Sequence, residues 1–201
     1  MQPGKHIQED RSAVSFGQEI LIALGANLSS ETGLPRETLH AALACLSDHG
    51  LTVLRTSRFF ATPCFPAGAG PDYVNACAVL GGDAEPAEVL ATLHAVEAEF
   101  GRAREQRWGS RTLDLDLLAV GEKVLPDAAF QGRWRELPLD RQLRETPGQL
   151  ILPHPRLQER AFVLVPLLDV APDWRHPLLE RTVRELCAAL PDELRAEVKP
   201  V

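Results

Sequence analysis

The chain has 201 residues, a net charge of −7 and a pI near 5.4. Its 45% hydrophobic and 24% charged residues are the makeup of a soluble globular domain long enough to bury a full core. This acidic balance argues against a dedicated nucleic-acid or anionic-membrane binder, so an anionic ligand must be met by a local basic cluster. Residues 1–18 are polar, carry no apolar stretch of the kind a signal peptide needs, and read as a flexible leader. Glu19–Leu24 reads as a buried first strand, and Gly25–Ser30 as a loop. Pro35 suits a first helical turn, and Leu39, Ala42, Leu43 and Leu46 follow the spacing of an amphipathic helix that Gly50 ends.

Leu51–Ala61 reads as a second strand, and 62–71 as a Pro/Gly loop. Asp72–Leu80 reads as a third strand with Tyr73 and Asn75 on one face. Pro86 opens a second helix with Val89, Leu93, Val96 and Phe100 as its apolar stripe and Gly101 at its C-terminal cap. Leu113-Asp-Leu-Asp-Leu117 alternates with period 2, the signal of a half-buried strand. The order β-α-β-β-α-β is that of the ferredoxin-like α+β fold, an antiparallel sheet with helices on one face, here followed by a C-terminal extension. Gly121-Glu122 turns into a short strand at Lys123–Leu125. The charged stretch 126–149 is an inserted surface excursion containing a short helix. Pro166–Asp169 reads as a helical turn, and Thr182 as the cap of a last helix built on Val183, Leu186, Cys187 and Leu190. No linker divides residues 19–201, which read as one domain.

The chemistry concentrates between Gly101 and Leu118. Arg102, Arg104, Arg107 and Arg111 lie on one glycine-bounded loop, and their planar forks suit phosphate oxygens. Asp114 and Asp116 share the polar face of the strand that follows. Alternating aspartates alone fit an exposed strand edge, but beside an arginine loop they fit Mg²⁺ held with substrate phosphates. Trp108 in so polar a loop needs a flat surface to cover. Glu97 reads equally as a surface residue or as an acceptor for a nucleoside. His154 stands between two prolines; a lone histidine is more often structural, but with Arg160 six residues on it could hold an anion. Tyr73 and Asn75, with Thr62-Pro63 before them, form either a slot for a flat heterocycle or ordinary sheet packing. Neither GxxxxGK[ST] nor GxGxxG occurs. The four cysteines are scattered without a CxxC pair. Cys45, Cys77 and Cys187 read as core residues of a cytoplasmic protein, with no zinc or redox motif. No apolar run is long enough to span a bilayer.

From about Ile20 to Leu190 the chain resembles the 6-hydroxymethyl-7,8-dihydropterin pyrophosphokinase family of folate synthesis. The resemblance is carried, in order, by Leu24-Gly-Ala-Asn-Leu28, Thr62-Pro63 and Asp72-Tyr-Val-Asn75. Arg107-Trp-Gly-Ser-Arg-Thr-Leu-Asp-Leu-Asp116, Leu152-Pro-His-Pro155 and Glu159-Arg-Ala-Phe162 complete it. It implies a ferredoxin-like fold and transfer of pyrophosphate from ATP to the pterin hydroxymethyl group, releasing AMP. It further implies two Mg²⁺ on Asp114 and Asp116, with Arg102 and Arg111 on the transferring group and Arg104 assisting at the phosphates. Glu97, His154 and Arg160 would contact ATP. Thr62, Pro63, Phe65, Tyr73 and Asn75 would line the pterin pocket, with Phe162 and Trp108 sandwiching the ring. The partners implied are small molecules, with neither nucleic acid nor membrane, and the protein is expected to be a monomer. Three features depart from the family pattern: the leader, the length of 126–149, and Gln149 where many members carry a basic residue. A metal-dependent phosphohydrolase and a ferredoxin-like RNA-binding module are the competing readings.

Overall fold

The computed structural model describes residues 18–64, 70–101, 112–138, 141 and 144–201. The described strands form one six-stranded antiparallel sheet. In chain order they are β1 (Gln18–Ala26), β2 (Thr52–Thr56), β3 (Phe60–Thr62), β4 (Tyr73–Gly82), β5 (Asp114–Val120) and β6 (Lys199–Pro200). The spatial order is β5-β1-β4-β3-β6, and β2 also pairs with β4. Helix α1 (Pro35–Asp48) lies between β1 and β2, and α2 (Pro86–Glu99) between β4 and β5. This is the expected β-α-β-β-α-β plan, with its second strand in two pieces.

The break in that strand has a local cause. Ser57 donates its backbone N–H to Cys77 O at 2.9 Å, while its hydroxyl oxygen accepts from Cys77 N at 2.9 Å. A side chain thus takes over one rung of the ladder, and pairing resumes at Phe60. At the other end of the sheet, β4 runs on through Gly81 and Gly82, which pair with Glu19 and Gln18 rather than ending the strand.

Two apolar layers sandwich the sheet. Ile20, Ile22, Leu24, Ala76, Ala78, Leu80, Leu113, Leu115 and Leu117 pack on one face against the α1 residues Leu39, Ala42 and Leu46 and the α2 residues Val89, Leu93 and Val96. The opposite face carries Leu21, Ala23, Cys77 and Val79 and is covered by the C-terminal extension. Both faces of β1 are therefore buried, which accounts for its unbroken apolar run. The extension supplies α4 (Ala161–Val170), α5 (Val183–Ala188) and α6 (Asp192–Ala196), after α3 (Ala128–Arg135) in the excursion.

Helix starts and stops follow the sequence closely. Pro35 and Pro86 stand in first turns, and Gly101 adopts φ +76°, a left-handed backbone natural to glycine. Thr182 accepts from Glu185 N at 3.2 Å and caps α5 as expected.

Two expectations need correction. Lys123–Leu125 is not a strand: only Leu125 bridges, to Leu152, and Pro126 has no N–H with which to extend the ladder. Pro166–Asp169 is not an isolated turn but the second half of the ten-residue α4. Val163, Leu164, Leu167 and Val170 are buried at helical spacing, and that contact with the sheet outweighs the backbone bond lost at Pro166.

Candidate active site

Period 2 sorts the polar residues of three strands onto the face covered by α4. On β5, Leu115 and Leu117, like Leu113 just before the strand, lie in the α1/α2 layer, so Asp114 and Asp116 point the other way, half-buried. On β4 the same alternation puts Tyr73 and Asn75 on that face, beside buried Cys77. Cross-strand register lines them up. Gly25 of β1 pairs with Asp114 on one side and Asn75 on the other, and Phe60 of β3 pairs with Asn75. In the next row Ala23 lies between Asp116 and Cys77. Two strand spacings, roughly 10 Å, separate the β5 carboxylates from Asn75.

Gly25 keeps the gap between them open. A Cβ at that position would stand 3.0 Å from Asn75 Oδ1 and 4.0 Å from Tyr73 Cδ1. Asn75 is buried and donates Nδ2–H to Thr62 Oγ1 at 2.7 Å. The amide is thereby held in one orientation, a fixed donor–acceptor pair suited to the edge of a flat heterocycle. Pro63 is exposed next to it. A cavity of about 230 Å³ opens beside Thr62 and Pro63, and its far wall is Ala196, Glu197 and Lys199.

At the carboxylate end, Arg160 Nη1 donates to Asp116 Oδ2 at 3.1 Å. Arg160 is also the cap residue of α4, and its guanidinium lies 5.5 Å over the ring of exposed Phe162. His154 is held next to β5 by its backbone N–H, which donates to Leu118 O at 2.8 Å. Leu118 is the bulge residue of β5, where the register with Leu21 and Ile22 shifts. His154 Nδ1 accepts from Arg156 N at 3.1 Å. Burial, then the positive charges of Arg160 and Arg156, push the His154 imidazole down to about 3, against the opposing pull of Asp114. The ring is neutral near pH 7. Because Nδ1 accepts, the proton is assigned to Nε2, a donor suited to a phosphate oxygen.

Glu97 is placed differently from the other candidates. It is 1% exposed, and Oε1 accepts from the backbone N–H of Leu115, the residue between the two aspartates, at 2.8 Å. Its carboxylate supports the strand backbone instead of opening onto the polar face. Arg102, Arg104, Arg107, Trp108 and Arg111 lie outside the described residues, as do Phe65 and the leader as far as residue 17.

Several positions were not singled out by sequence reasoning. Gln131 of α3 is fully buried. It donates Nε2–H to Pro153 O at 3.2 Å and accepts from Arg135 Nη1 at 3.0 Å. The excursion thus rests against the Pro-His-Pro turn, and no local pattern marks that glutamine. Cys77 floors the face between the two halves, its thiol kept protonated by burial and by Asp116. The wall at Ala196–Lys199 depends on β6, a strand too short for any periodicity.

Comparison with known proteins shows the family of the chain. The model of the 7,8-dihydro-6-hydroxymethylpterin-pyrophosphokinase (HPPK) family matches residues 21–172. The chain belongs to this family. It is 39% identical over 178 residues to the 2-amino-4-hydroxy-6-hydroxymethyldihydropteridine pyrophosphokinase of Pseudomonas aeruginosa, covering 88% of this chain and 94% of that one. To the enzyme of the same name in Synechocystis it is 38% identical over 167 residues, covering 83% and 73%. The wild-type HPPK-DHPS of Plasmodium falciparum shares the fold, with a TM-score of 0.58 at 13% identity. That match covers 85% of this chain but only 44% of the longer protein. The chain is thus an ATP-dependent pyrophosphokinase acting on small molecules, and neither the phosphohydrolase nor the RNA-module reading finds support. Among the described residues no helix is long and apolar enough to cross a membrane.

Proposed function

We propose that pyrophosphoryl transfer from ATP to 6-hydroxymethyl-7,8-dihydropterin takes place across the Asp114–Gly25–Asn75 row, with nucleotide at the β5 end and pterin at the β4/β3 end. The observation that carries this reading is the register itself. It sets hard carboxylates and an oriented amide on one sheet face, roughly 10 Å apart, with only a glycine between them.

Asp114 and Asp116 suit Mg²⁺: both are half-buried oxygen donors on one rigid strand, and we assign them two ions. Bound there, the metal supplies charge neutralisation of the triphosphate and polarisation of the phosphoryl oxygens. Arg160 holds Asp116 in place and offers its remaining donors to the polyphosphate. His154 donates Nε2–H to the same ligand, and Glu97 acts as a positioning residue behind β5 rather than as a nucleotide contact. Arg102 and Arg111 are assigned to the transferring group and Arg104 to the phosphates. In the pterin half, Asn75 and Thr62 fix the heterocycle edge, Tyr73, Pro63 and Phe65 line its sides, and Phe162 and Trp108 cover its faces.

The hydroxymethyl oxygen forms the new bond to the β-phosphorus. The bond from that phosphorus to the oxygen bridging it to the α-phosphate breaks, AMP departs, and the hydroxyl proton passes to solvent. We read residues 19–201 as one catalytic domain, and the enzyme as a cytoplasmic monomer. The four free cysteines are in keeping with a reducing compartment.

Separate binding measurements on the two substrates test the division of the face. D114N and D116N are expected to lose Mg²⁺-dependent ATP binding and keep pterin binding, while N75A shows the reverse. Loss of both ligands in every variant would overturn the two-ended arrangement.

A further inference from the structure

Away from this face, the C-terminal ends of α1 and α2 meet. Cys45 lies in the last turn of α1, His49 caps that helix, and Glu99 is the final residue of α2. His49 Nε2 stands 2.7 Å from Glu99 Oε1, and Cys45 donates its S–H to Glu99 Oε2 at 3.4 Å. One ligand atom from each of the three residues lies within 4.8 Å of the others. We propose that Cys45, His49 and Glu99 form a binding site for a divalent ion of the zinc class, which joins the ends of α1 and α2.

The donor set is sulfur, nitrogen and carboxylate oxygen, the combination zinc uses in tetrahedral sites. With ordinary zinc bond lengths, the edges of such a tetrahedron are about 3.3–3.6 Å. The two contacts engage different Glu99 oxygens, Oε2 for Cys45 and Oε1 for His49, while one ligand atom of each residue already stands within 4.8 Å of the others, so closing on a shared ion takes small rotations of His49 and Glu99. Both of those side chains can move, being 33% and 52% exposed, and the same exposure leaves the fourth position to water. The surroundings favour a cation. The negative ends of two helix dipoles converge here, and Asp48 adds a nearby charge.

Without metal the thiol is protonated, since burial and Glu99 push its pKa up. On binding, the S–H bond breaks, the proton goes to solvent, and the sulfur lone pair forms the metal bond. Mg²⁺ prefers oxygen donors and has no use for the thiol, so this site and the Asp114/Asp116 pair select different ions. Cysteine spacing did not reveal it because the third ligand comes from another helix, 54 residues away from Cys45.

Cobalt(II) titration of the reduced full-length protein tests the proposal. One equivalent is expected to produce a thiolate-to-cobalt charge-transfer band that zinc abolishes. Cobalt on Asp114 and Asp116 has no sulfur ligand and gives no such band. C45S should lose the band and C64S keep it. H49A and E99Q, both altering exposed side chains, should weaken binding by about 100-fold or more, beyond the loss typical of an outer-shell partner. They carry the test if C45S misfolds by circular dichroism. No band in the wild-type protein, or an undiminished band in C45S or in both H49A and E99Q, would overturn the assignment.

Discussion

Arg160 Nη1 donates to Asp116 Oδ2 at 3.1 Å, across 44 residues of sequence. The contact fixes a metal-type carboxylate to the cap of α4, and so couples the edge strand β5 to the layer covering the active face. Arg160→Ala should therefore act mainly on the nucleotide. The expected result is a rise of about tenfold in KM for ATP, near the worth of one charge-assisted hydrogen bond, with KM for pterin little changed. Steady-state kinetics with each substrate varied in turn provide the check.

Asp114→Ala and Asp116→Ala remove the metal carboxylates themselves. Loss of about 4 kcal/mol of transition-state stabilisation corresponds to a fall of roughly a thousandfold in kcat/KM. Circular dichroism should remain that of the wild type, because both side chains are half-exposed and outside the apolar layers. A rate within tenfold of wild type in either variant would remove that residue from the metal site.

Gly25→Ala tests the gap between the two halves. The new methyl would press on Asn75 Oδ1 at 3.0 Å and displace the amide that Thr62 orients. KM for pterin should rise by about tenfold or more, the worth of one misaligned hydrogen bond, while KM for ATP stays within about twofold. Gly25 has no positive φ among the described glycines, so the effect would come from crowding rather than from backbone strain.

Gln131 links the excursion to the Pro-His-Pro turn through Pro153 O. In Gln131→Leu this donor is lost and Arg135 is left facing an apolar group, at a cost of about 1–3 kcal/mol in stability. Displacement of His154 should also raise KM for ATP more than it lowers kcat. Urea unfolding and ATP kinetics on the same variant separate the two effects.

His176 is fully buried, and its Nδ1 accepts from Leu178 N and Leu179 N, each at 3.2 Å. Burial, and secondarily Arg135, push its imidazole down to about 4. Protonation therefore favours the unfolded chain. The stability held by the neutral ring is complete above about pH 6.5 and is lost as pH falls from there towards 4, by about 3 kcal/mol. His176→Asn keeps an acceptor without the titration. Its urea midpoint should fall less steeply over that interval than that of the wild type.

How much was legible in the sequence depended on how local the signal was. Leu113-Asp-Leu-Asp-Leu117 keeps strict period 2, so the face of Asp114 and Asp116 could be read directly. The alternation fails at Leu118, where the bulge sits. Caps at Pro35, Pro86, Gly101 and Thr182 were equally local and marked their helices. Helix α4 was obscured by Pro166 in its interior, although Val163, Leu164, Leu167 and Val170 hold the helical spacing.

The candidate site was legible as residue types and less so as partners. Thr62, Asn75, His154, Arg160 and the aspartates stood out by motif. Glu97 stood out too, yet only its contact with Leu115 N gives it a place behind the strand. Gln131 and the Cys45–His49–Glu99 cluster are set by packing between distant segments, which no spacing rule encodes.

The most direct test of the central claim is identification of the products formed from ATP, Mg²⁺ and 6-hydroxymethyl-7,8-dihydropterin by the purified enzyme. AMP should form in a one-to-one ratio with the pterin pyrophosphate, and no AMP should form when the pterin is omitted. Release of ADP, or ATP cleavage that proceeds without pterin, would contradict it.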